Sequence, residues 1–265
     1  MTKNRNIVHT LAYNLPSQVE LAVTDLFEKN DKKDFTHIIV DLGYPLQLGD
    51  QIPEDIERAK RENSVFLMDL CEKNRSIYFK AENIGVSQNW TQVAHELKVG
   101  AGDTMICCDP DERVHSMGWV KALGDVMRAS DDRYGWISLA MPEHLNILQP
   151  FPDKYREKIF ADHRVWEIQG SLNWAQGAMS GKLIEQLGEI PFLKEYPKYG
   201  HIETATMQRM KPLGYSWSML PDFTVSHTDE VPLYRAWKDQ IIFRIKEHGQ
   251  LDFEQWLQMR KEGRI

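Results

Sequence analysis

The most informative stretch of the chain is TMICCDPDE, which occupies residues 104–112. Its first five residues, 104–108, are mostly apolar, and such a short run before a turn signal predicts a buried β-strand. Asp109 and Asp111 follow, so their carboxylates can point toward one opening at the end of that strand. Hard divalent cations prefer such oxygen ligands and leave positions free for substrate phosphates. The same tripeptide also fits a solvated turn in which an aspartate caps the next helix.

The residues before this stretch alternate between strand and helix patterns. Strands are predicted at 7–12, 36–41 and 76–80. Helices are predicted from a capping box at Ser17, over about 53–70, and from a cap at Ser87. The second strand carries Ile38, Ile39 and Val40 without alternation, which is typical of a strand buried on both faces. The alternation predicts an α/β fold with a mostly parallel central sheet flanked by helices, in which ligands bind at the carboxyl ends of the strands.

The second half of the chain is less regular. Predicted here are a strand at 136–139, a Pro-rich loop at 141–153, a turn of small residues at 177–181, a helix near 203–210, and two strands at 215–219 and 223–227. Large apolar residues recur among charges over 234–264, which predicts a pair of helices packed back on the body. We therefore expect one domain at 1–230 and a C-terminal helical tail at 231–265.

Composition restricts the class of protein. The chain has 265 residues, of which 42% are hydrophobic and 27% are charged, so disordered, collagen-like and coiled-coil classes are excluded. Its 39 acidic and 32 basic residues give a net charge of −7, which offers no general attraction to a nucleic-acid backbone. Three cysteines fit a reducing compartment better than a disulfide framework. Because neither a signal-peptide pattern nor a long apolar run is found, we expect a cytoplasmic protein without a transmembrane segment.

The segment before the acidic stretch carries a second motif. ENIGVSQNW, residues 82–90, leads through a predicted helix and Gly102-Asp103 to the strand and its acids. This order resembles that of the A-type (GT-A fold) glycosyltransferases, above all their large inverting family 2. Members of that family pair an N-x-G-x-S-like segment with a strand that ends in D-x-D.

The resemblance extends to both sides of these two motifs. Residues 7–14 are similar to the family's first strand and turn, and Ile39-Val40-Asp41 to its second strand. Residues 199–215 resemble the segment that carries the family's catalytic acid, and 220–227 resemble a strand that ends in histidine. Each motif is degenerate alone, but their order along most of the chain matches the family.

The resemblance implies a reaction and a set of site residues. It implies metal-dependent transfer of a sugar, with inversion, from a nucleoside-diphosphate sugar, UDP-linked by preference, to an acceptor hydroxyl. Mn²⁺ or Mg²⁺ is the implied cofactor, held by Asp109, Asp111 and His227, and Glu203 is the implied general base. Implied for donor binding are Thr10, Ala12, Asn14, Asp41, Asn83, Gly85, Ser87 and Asp109. The domain would then divide into a nucleotide-sugar-binding half at 1–115 and an acceptor-side half at 116–230.

Several of these residues also have ordinary structural interpretations. Asp41 can start a loop, and Glu203 can be an acid favoured at a helix N-terminus by the helix dipole. His227 can be a hydrogen-bonded structural residue. Trp174 and Trp217 can stack on a sugar ring or pack in the core.

Two other functions stay open from the sequence. A nucleotidyltransferase of similar α/β build also needs two acids and a metal, although LAYNLP at 11–16 replaces the Gly-rich phosphate loop expected after its first strand. A non-catalytic carbohydrate-binding relative would keep the fold without the chemistry. The acceptor can be a saccharide, a lipid-linked sugar, a protein, a metabolite or a modified nucleobase.

Overall fold

The strands pair into one mixed sheet. The computed structural model describes residues 4–13, 15–45, 53–131, 133–149, 152–169, 176–228, 232–243 and 249–265. Its strands are β1 (Asn6–Ala12), β2 (Thr36–Asp41), β3 (Ile77–Lys80), β4 (Thr104–Cys107), β5 (Glu112–Val114), β6 (Tyr134–Ala140), β7 (Tyr155–Phe160), β8 (His163–Ile168), β9 (Gly177–Ser180) and β10 (Ser216–His227). Within these residues the sheet order is β3-β2-β1-β4-β9-β6-β10-β8-β7, and β5 pairs with β10.

The direction of the strands confirms the predicted sheet. β1 pairs in parallel with both β2 and β4, and β2 pairs in parallel with β3. β9 is antiparallel to both β4 and β6, so β6 runs the same way as the first four strands, and β10 pairs with it in parallel. The carboxyl ends of β1, β2, β4, β6 and β10 therefore lie along one edge of the sheet, where α/β proteins bind ligands.

Helices flank the sheet. They are α1 (Pro16–Lys29), α2 (Ile56–Asn74), α3 (Val86–Glu96), α4 (Trp119–Ala129), α5 (Pro142–Leu148), α6 (Gly181–Leu187), α7 (Ile202–Met210), α8 (Pro232–Phe243) and α9 (Phe253–Lys261). Across the residues described, no helix is both long enough and apolar enough to cross a bilayer.

The two predicted N-terminal caps are wrong. α1 begins at Pro16, one residue before the predicted capping box at Ser17, and has no side-chain cap. Proline starts helices readily because its fixed φ is already helical. α3 begins at Val86, so Ser87 lies inside its first turn, where the hydroxyl donates to the carbonyl of Pro191 at 2.9 Å.

The small residues at 177–181 are not a turn. Gly177–Ser180 is β9, which lies between β4 and β6, and α6 begins at Gly181. A Cβ on Gly177 would meet the carbonyl of Ile137, and one on Gly181 would meet that of Gly100. These glycines are needed because neighbouring backbones approach closely, which the sequence pattern does not distinguish from a turn.

Two other predictions for the second half need correction. The predicted strands at 215–219 and 223–227 form one strand, β10, whose pairing with β6 shifts in register between Leu220 and Thr224. A bulge accommodates Pro221 without ending the strand. The predicted loop at 141–153 contains α5, again with proline in the first turn.

Apolar clusters cover both faces of the sheet. Cys107 lies in one cluster and Cys108 in another, so the alternation predicted for β4 is confirmed. Trp217 packs in the first cluster with Trp136, at a centroid distance of 5.6 Å, and is 0% exposed. It is therefore a core residue and not a sugar-stacking platform. Trp174 lies outside the described residues.

Helices α8 and α9 pack back on the sheet edge. Trp237 of α8 and Phe253 of α9 lie in a third apolar cluster with Tyr44, and Tyr13 packs against it. Tyr13 directly follows β1, and Tyr44 follows β2. The helical tail predicted after residue 231 therefore covers the carboxyl ends of these two strands.

Candidate functional site

Asp109 is the first acid beyond β4. The N–H of Cys108 donates to the carbonyl of His9 at 2.9 Å, so pairing with β1 continues to the residue before Asp109. The Asp109 carboxylate accepts a hydrogen bond from the Cys107 thiol at 3.0 Å. Burial, followed by the Asp111 carboxylate, raises the pKa of Asp109 to about 6. A cation at this position would relieve both effects.

Glu112 is a third acid of this group, which sequence reasoning did not select. Its side chain is 2% exposed, and one carboxylate oxygen accepts from the N–H of Gln176 at 2.7 Å. Burial, then Asp109 and Asp111, raise the pKa of Glu112 well above its ordinary value. The available signal was its place directly after the D-x-D tripeptide.

Asp111 forms an ion pair with a lysine from the tail. Its Oδ2 lies 2.8 Å from Nζ of Lys238 in α8, and the two side chains are 13% and 11% exposed. The ammonium also lies 5.7 Å from the ring centroid of Tyr199 and 5.5 Å from that of Tyr234. Lysine ammonium groups interact favourably with aromatic faces at such distances. The sequence offers no signal that pairs Lys238 with an acid 127 positions away.

The end of β10 lies beside the same acids. His227 pairs with Glu112 across β5 and β10, and its Nε2 is 3.8 Å from a Glu112 carboxylate oxygen. The next residue, Thr228, donates from its N–H to the carbonyl of Asp111 at 2.8 Å. The structure thus places His227, whose side chain is 55% exposed, next to the D-x-D turn. Its role as a metal ligand stays a prediction.

Asp41 has a strong internal hydrogen-bond network. It is 0% exposed. Its Oδ1 accepts from the N–H of Gly43 at 2.9 Å, and its Oδ2 accepts from the hydroxyls of Ser64 and Tyr78, each at 2.6 Å. This network fixes the turn after β2. The contact of Asp41 with a nucleotide stays a prediction.

The predicted donor-binding residues of β1 are buried. Thr10 is 0% exposed and its hydroxyl lies 3.0 Å from Nε2 of His37, while Ala12 is 1% exposed. The third predicted residue of this group, Asn14, lies outside the described residues. The backbone that follows Ala12 leads to Tyr13 at the edge where the other strands end.

Asn83, Gly85 and Ser87 contact later segments of the chain. The Asn83 amide donates to the Asp252 carboxylate, which caps α9, at 3.3 Å. Gly85 has φ of 125° and packs so closely on the carbonyl of Pro197 that a Cβ would clash. Ser87 donates a hydrogen bond to Pro191 in the same 191–197 segment. Together the three residues hold this segment and α9 in place.

Glu203 lies in the first turn of α7 and is partly exposed. The turn before this helix contains Tyr199, whose N–H donates to Oε1 of Gln250 at 3.1 Å and whose ring faces Lys238. The segment that carries Glu203 is therefore connected to the acids through Lys238. The role of Glu203 as general base stays a prediction.

The sheet edge beside the acids is filled by tail aromatics. The ring of Tyr13 lies 5.5 Å from that of Trp237, and the ring of Tyr44 stacks on that of Phe253 at 4.9 Å. The hydroxyl of Tyr13 also accepts from the N–H of Phe253 at 2.9 Å. The tail is thus in direct contact with the ends of β1 and β2, at the edge where α/β sheets bind ligands.

The acids fit a hard divalent cation chemically. Asp109 and Asp111 offer carboxylate oxygens, and a cation would oppose the burial and the Asp111 charge that raise the pKa of Asp109. In the part of the chain described, no three His, Cys, Asp or Glu side chains converge as a ready-made metal cage. Mg²⁺-type ions are commonly held by one or two carboxylates together with substrate phosphates, so two acids suffice.

The destabilising effect of the Asp109 charge can be tested by measuring thermal unfolding. We expect Asp109→Asn to raise the melting temperature of the metal-free protein at neutral pH. Between the ordinary value of 3.8 and about 6 the folded state binds more protons at Asp109 than the unfolded chain, so the free energy of unfolding falls as pH rises. Asparagine removes this penalty, and each ~1 kcal/mol gained shifts the midpoint by about 2–4 °C.

Thermal unfolding across this pH range in EDTA measures the effect. The exposed Asp162→Asn is the matched control and should leave the curve unchanged. Asp109→Asn should also flatten the pH dependence, although Glu112 retains part of it. A melting temperature equal to or below that of the wild type at neutral pH would show that the Asp109 charge is not destabilising.

Comparison with known proteins identifies the fold. No protein-family model matches the sequence, and no curated protein matches it. A crystal structure of GalNAc-T7 with UDP, GalNAc and Mn²⁺ is similar with a TM-score of 0.57 and 11% identity, over 91% of this chain and 48% of that chain. The crystal structure of a mycobacterial protein is similar with a TM-score of 0.51 and 11% identity, over 91% of this chain and 72% of that chain. The crystal structure of S. aureus TarS is similar with a TM-score of 0.50 and 12% identity, over 97% of this chain and 42% of that chain.

These similarities confirm the fold that the sequence motifs implied. GalNAc-T7 and TarS are GT-A structures, and the chain has the GT-A fold. The chain spans about half the length of GalNAc-T7 and less than half that of TarS. At this level of identity the comparison gives the architecture, and the chemistry has to be argued from the site.

Proposed function

We propose that this protein is a metal-dependent glycosyltransferase that moves a hexosyl or pentosyl group, with inversion, from a nucleoside-diphosphate sugar to an acceptor hydroxyl. The observation that carries the proposal is the pair Asp109 and Asp111 at the carboxyl end of β4 in a GT-A sheet. UDP is the favoured nucleotide, since GalNAc-T7 of the same fold was crystallised with UDP and Mn²⁺. The proposed location is the cytoplasm.

In this proposal the acids would hold a divalent cation, which would supply positive charge for the donor diphosphate. Asp111 and Asp109 hold Mn²⁺ or Mg²⁺, and His227 completes the ligand set. Such an ion stabilises the negative charge that develops on the leaving diphosphate. The protein positions both carboxylates by pairing β4 with β1 and by the bonds from Thr228 to the Asp111 carbonyl.

The remaining residues bind the nucleotide and activate the acceptor. The donor site comprises Thr10, Ala12, Asn14, Asp41, Asn83, Gly85, Ser87 and Asp109. Glu203 accepts the proton of the attacking hydroxyl, since a partly exposed carboxylate can reach an acceptor and act as general base. Attack opposite the leaving group inverts the anomeric centre. Residues 1–230 form the catalytic domain, with donor and acceptor halves at 1–115 and 116–230, and 231–265 form the tail.

Nucleotide-dependent stabilisation tests the proposal. We expect UDP with Mn²⁺ to raise the melting temperature more than either alone, because a ligand that binds only the folded state stabilises it by about 2.7 kcal/mol at 100 times its Kd. The panel includes GDP, ADP, CDP and the matching triphosphates, with EDTA as the metal-free control. Stabilisation by triphosphates alone would favour a nucleotidyltransferase. No stabilisation by any nucleotide would favour a non-catalytic carbohydrate-binding protein.

A further inference from the structure

Lys238 is the basic side chain that the tail brings to the acids. Its Nζ lies 2.8 Å from Oδ2 of Asp111, and its side chain is 11% exposed. Holding a lysine in a site so shielded from water requires compensating partners. Here the Asp111 carboxylate and the faces of Tyr199 and Tyr234 provide them. The ammonium is thus positioned by three segments: the D-x-D turn, the turn before α7, and α8.

The position of α8 is fixed relative to the sheet edge. The hydroxyl of Tyr234 donates to the carbonyl of Tyr13, directly after β1, at 3.3 Å. Trp237 packs on the ring of Tyr13, and its indole N–H donates to the carbonyl of Leu251 at 3.0 Å. Lys238 follows Trp237, so these contacts hold its side chain toward the end of β4.

An anionic ligand at this site needs positive charge, and Lys238 supplies it. Asp109, Asp111 and Glu112 bring three carboxylates to the site, and a diphosphate would add further negative charge. A divalent cation held by Asp111 would offset part of this charge, and the adjacent ammonium offsets more. A lysine ammonium has three N–H donors on a flexible stem, and phosphate oxygens are strong acceptors for such donors.

We propose that Lys238 is a donor-binding residue whose ammonium donates hydrogen bonds to the diphosphate of the nucleotide sugar. This inference rests on the proposed function and adds the tail to the donor site. It predicts that Lys238 discriminates nucleotides by their phosphates: affinity for UDP depends on the ammonium, and affinity for uridine does not.

The test is isothermal titration of UDP and of uridine into the full-length protein with Mn²⁺. We expect Lys238→Met to weaken UDP binding about 10- to 100-fold, the usual range for a lost hydrogen bond to a charged group. Uridine binding should stay unchanged, and Lys238→Arg should restore part of the UDP affinity. Arg235→Met is the control, since Arg235 lies on the same helix with a 63% exposed side chain.

The outcomes separate this inference from the proposed function. Lys238→Gln is measured in parallel. Glutamine has no charge but can still donate a hydrogen bond to Asp111, so this variant is expected to fold even if Lys238→Met does not. Unchanged UDP affinity in either folded variant overturns the role of Lys238 and leaves the proposed function intact. Equal weakening of UDP and uridine also overturns it, because a structural role would act on both. If the wild type binds no nucleoside diphosphate with Mn²⁺, the proposed function and this inference fall together.

Discussion

Replacement of Asp111 with asparagine is expected to abolish measurable metal-dependent binding of UDP, a loss of at least about 100-fold. The substitution keeps the shape of the side chain and removes its charge. Changing even residues that only orient metal ligands costs about 10- to 100-fold in metal affinity, so neutralising a proposed ligand should cost more. Metal-dependent hydrolysis of a nucleotide sugar should disappear with the binding.

The same substitution should also lower the stability of the protein. Asp111 is the charged partner of Lys238 in a pair whose side chains are 13% and 11% exposed. Removing one member of such a pair leaves the other charge without compensation. UDP titrations with Mn²⁺ and with EDTA, at a temperature where the variant is folded, separate the two effects, and Asp162→Asn is the matched control. UDP affinity with Mn²⁺ equal to that of the wild type would contradict the role of Asp111.

Replacement of Glu203 with glutamine is expected to reduce sugar transfer about 10²- to 10⁴-fold, the usual contribution of a general base. Glutamine has nearly the same size but cannot accept the acceptor's proton. Affinity for UDP with Mn²⁺ should not change, because Glu203 belongs to α7 and not to the D-x-D turn. Turnover of the nucleotide sugar selected from a donor panel, to acceptor or to water, measures the effect.

A matched control removes the effect of the amide itself. Glu195→Gln changes an exposed glutamate in the turn between α6 and α7 and should leave turnover unaltered. Unimpaired transfer by Glu203→Gln would remove the base assignment and leave the metal site standing. Loss of UDP binding would instead show that Glu203 supports the donor site.

Local patterns in the sequence were sufficient to predict the first strands of the fold. The strands at β1, β2 and β4 end within one or two residues of their predicted limits, because a run of apolar residues before a polar turn leaves little choice of conformation. The burial of Cys107 and Cys108 on opposite faces of the sheet also follows from the alternation of side chains along a strand. D-x-D is a contiguous motif, so its place at a strand end could be predicted.

Contacts between distant segments could not be predicted in this way. Nothing in the residues around Lys238 indicates that α8 packs beside Asp111, because that pairing depends on the complete sheet. The hydrogen bonds of Asp41 to Ser64 and Tyr78 depend on where α2 and β3 lie. β9 was interpreted as a turn because glycine signals both turns and close backbone approach.

The stack of Tyr44 on Phe253 joins two stretches of sequence about two hundred positions apart. A smaller residue at Tyr44 would leave a void beside Phe253 that a change at position 253 could fill, so relatives should vary these two positions together. Tail and strand end would then diverge as one unit during evolution. A relative that differs at one of these two positions should therefore differ at the other as well.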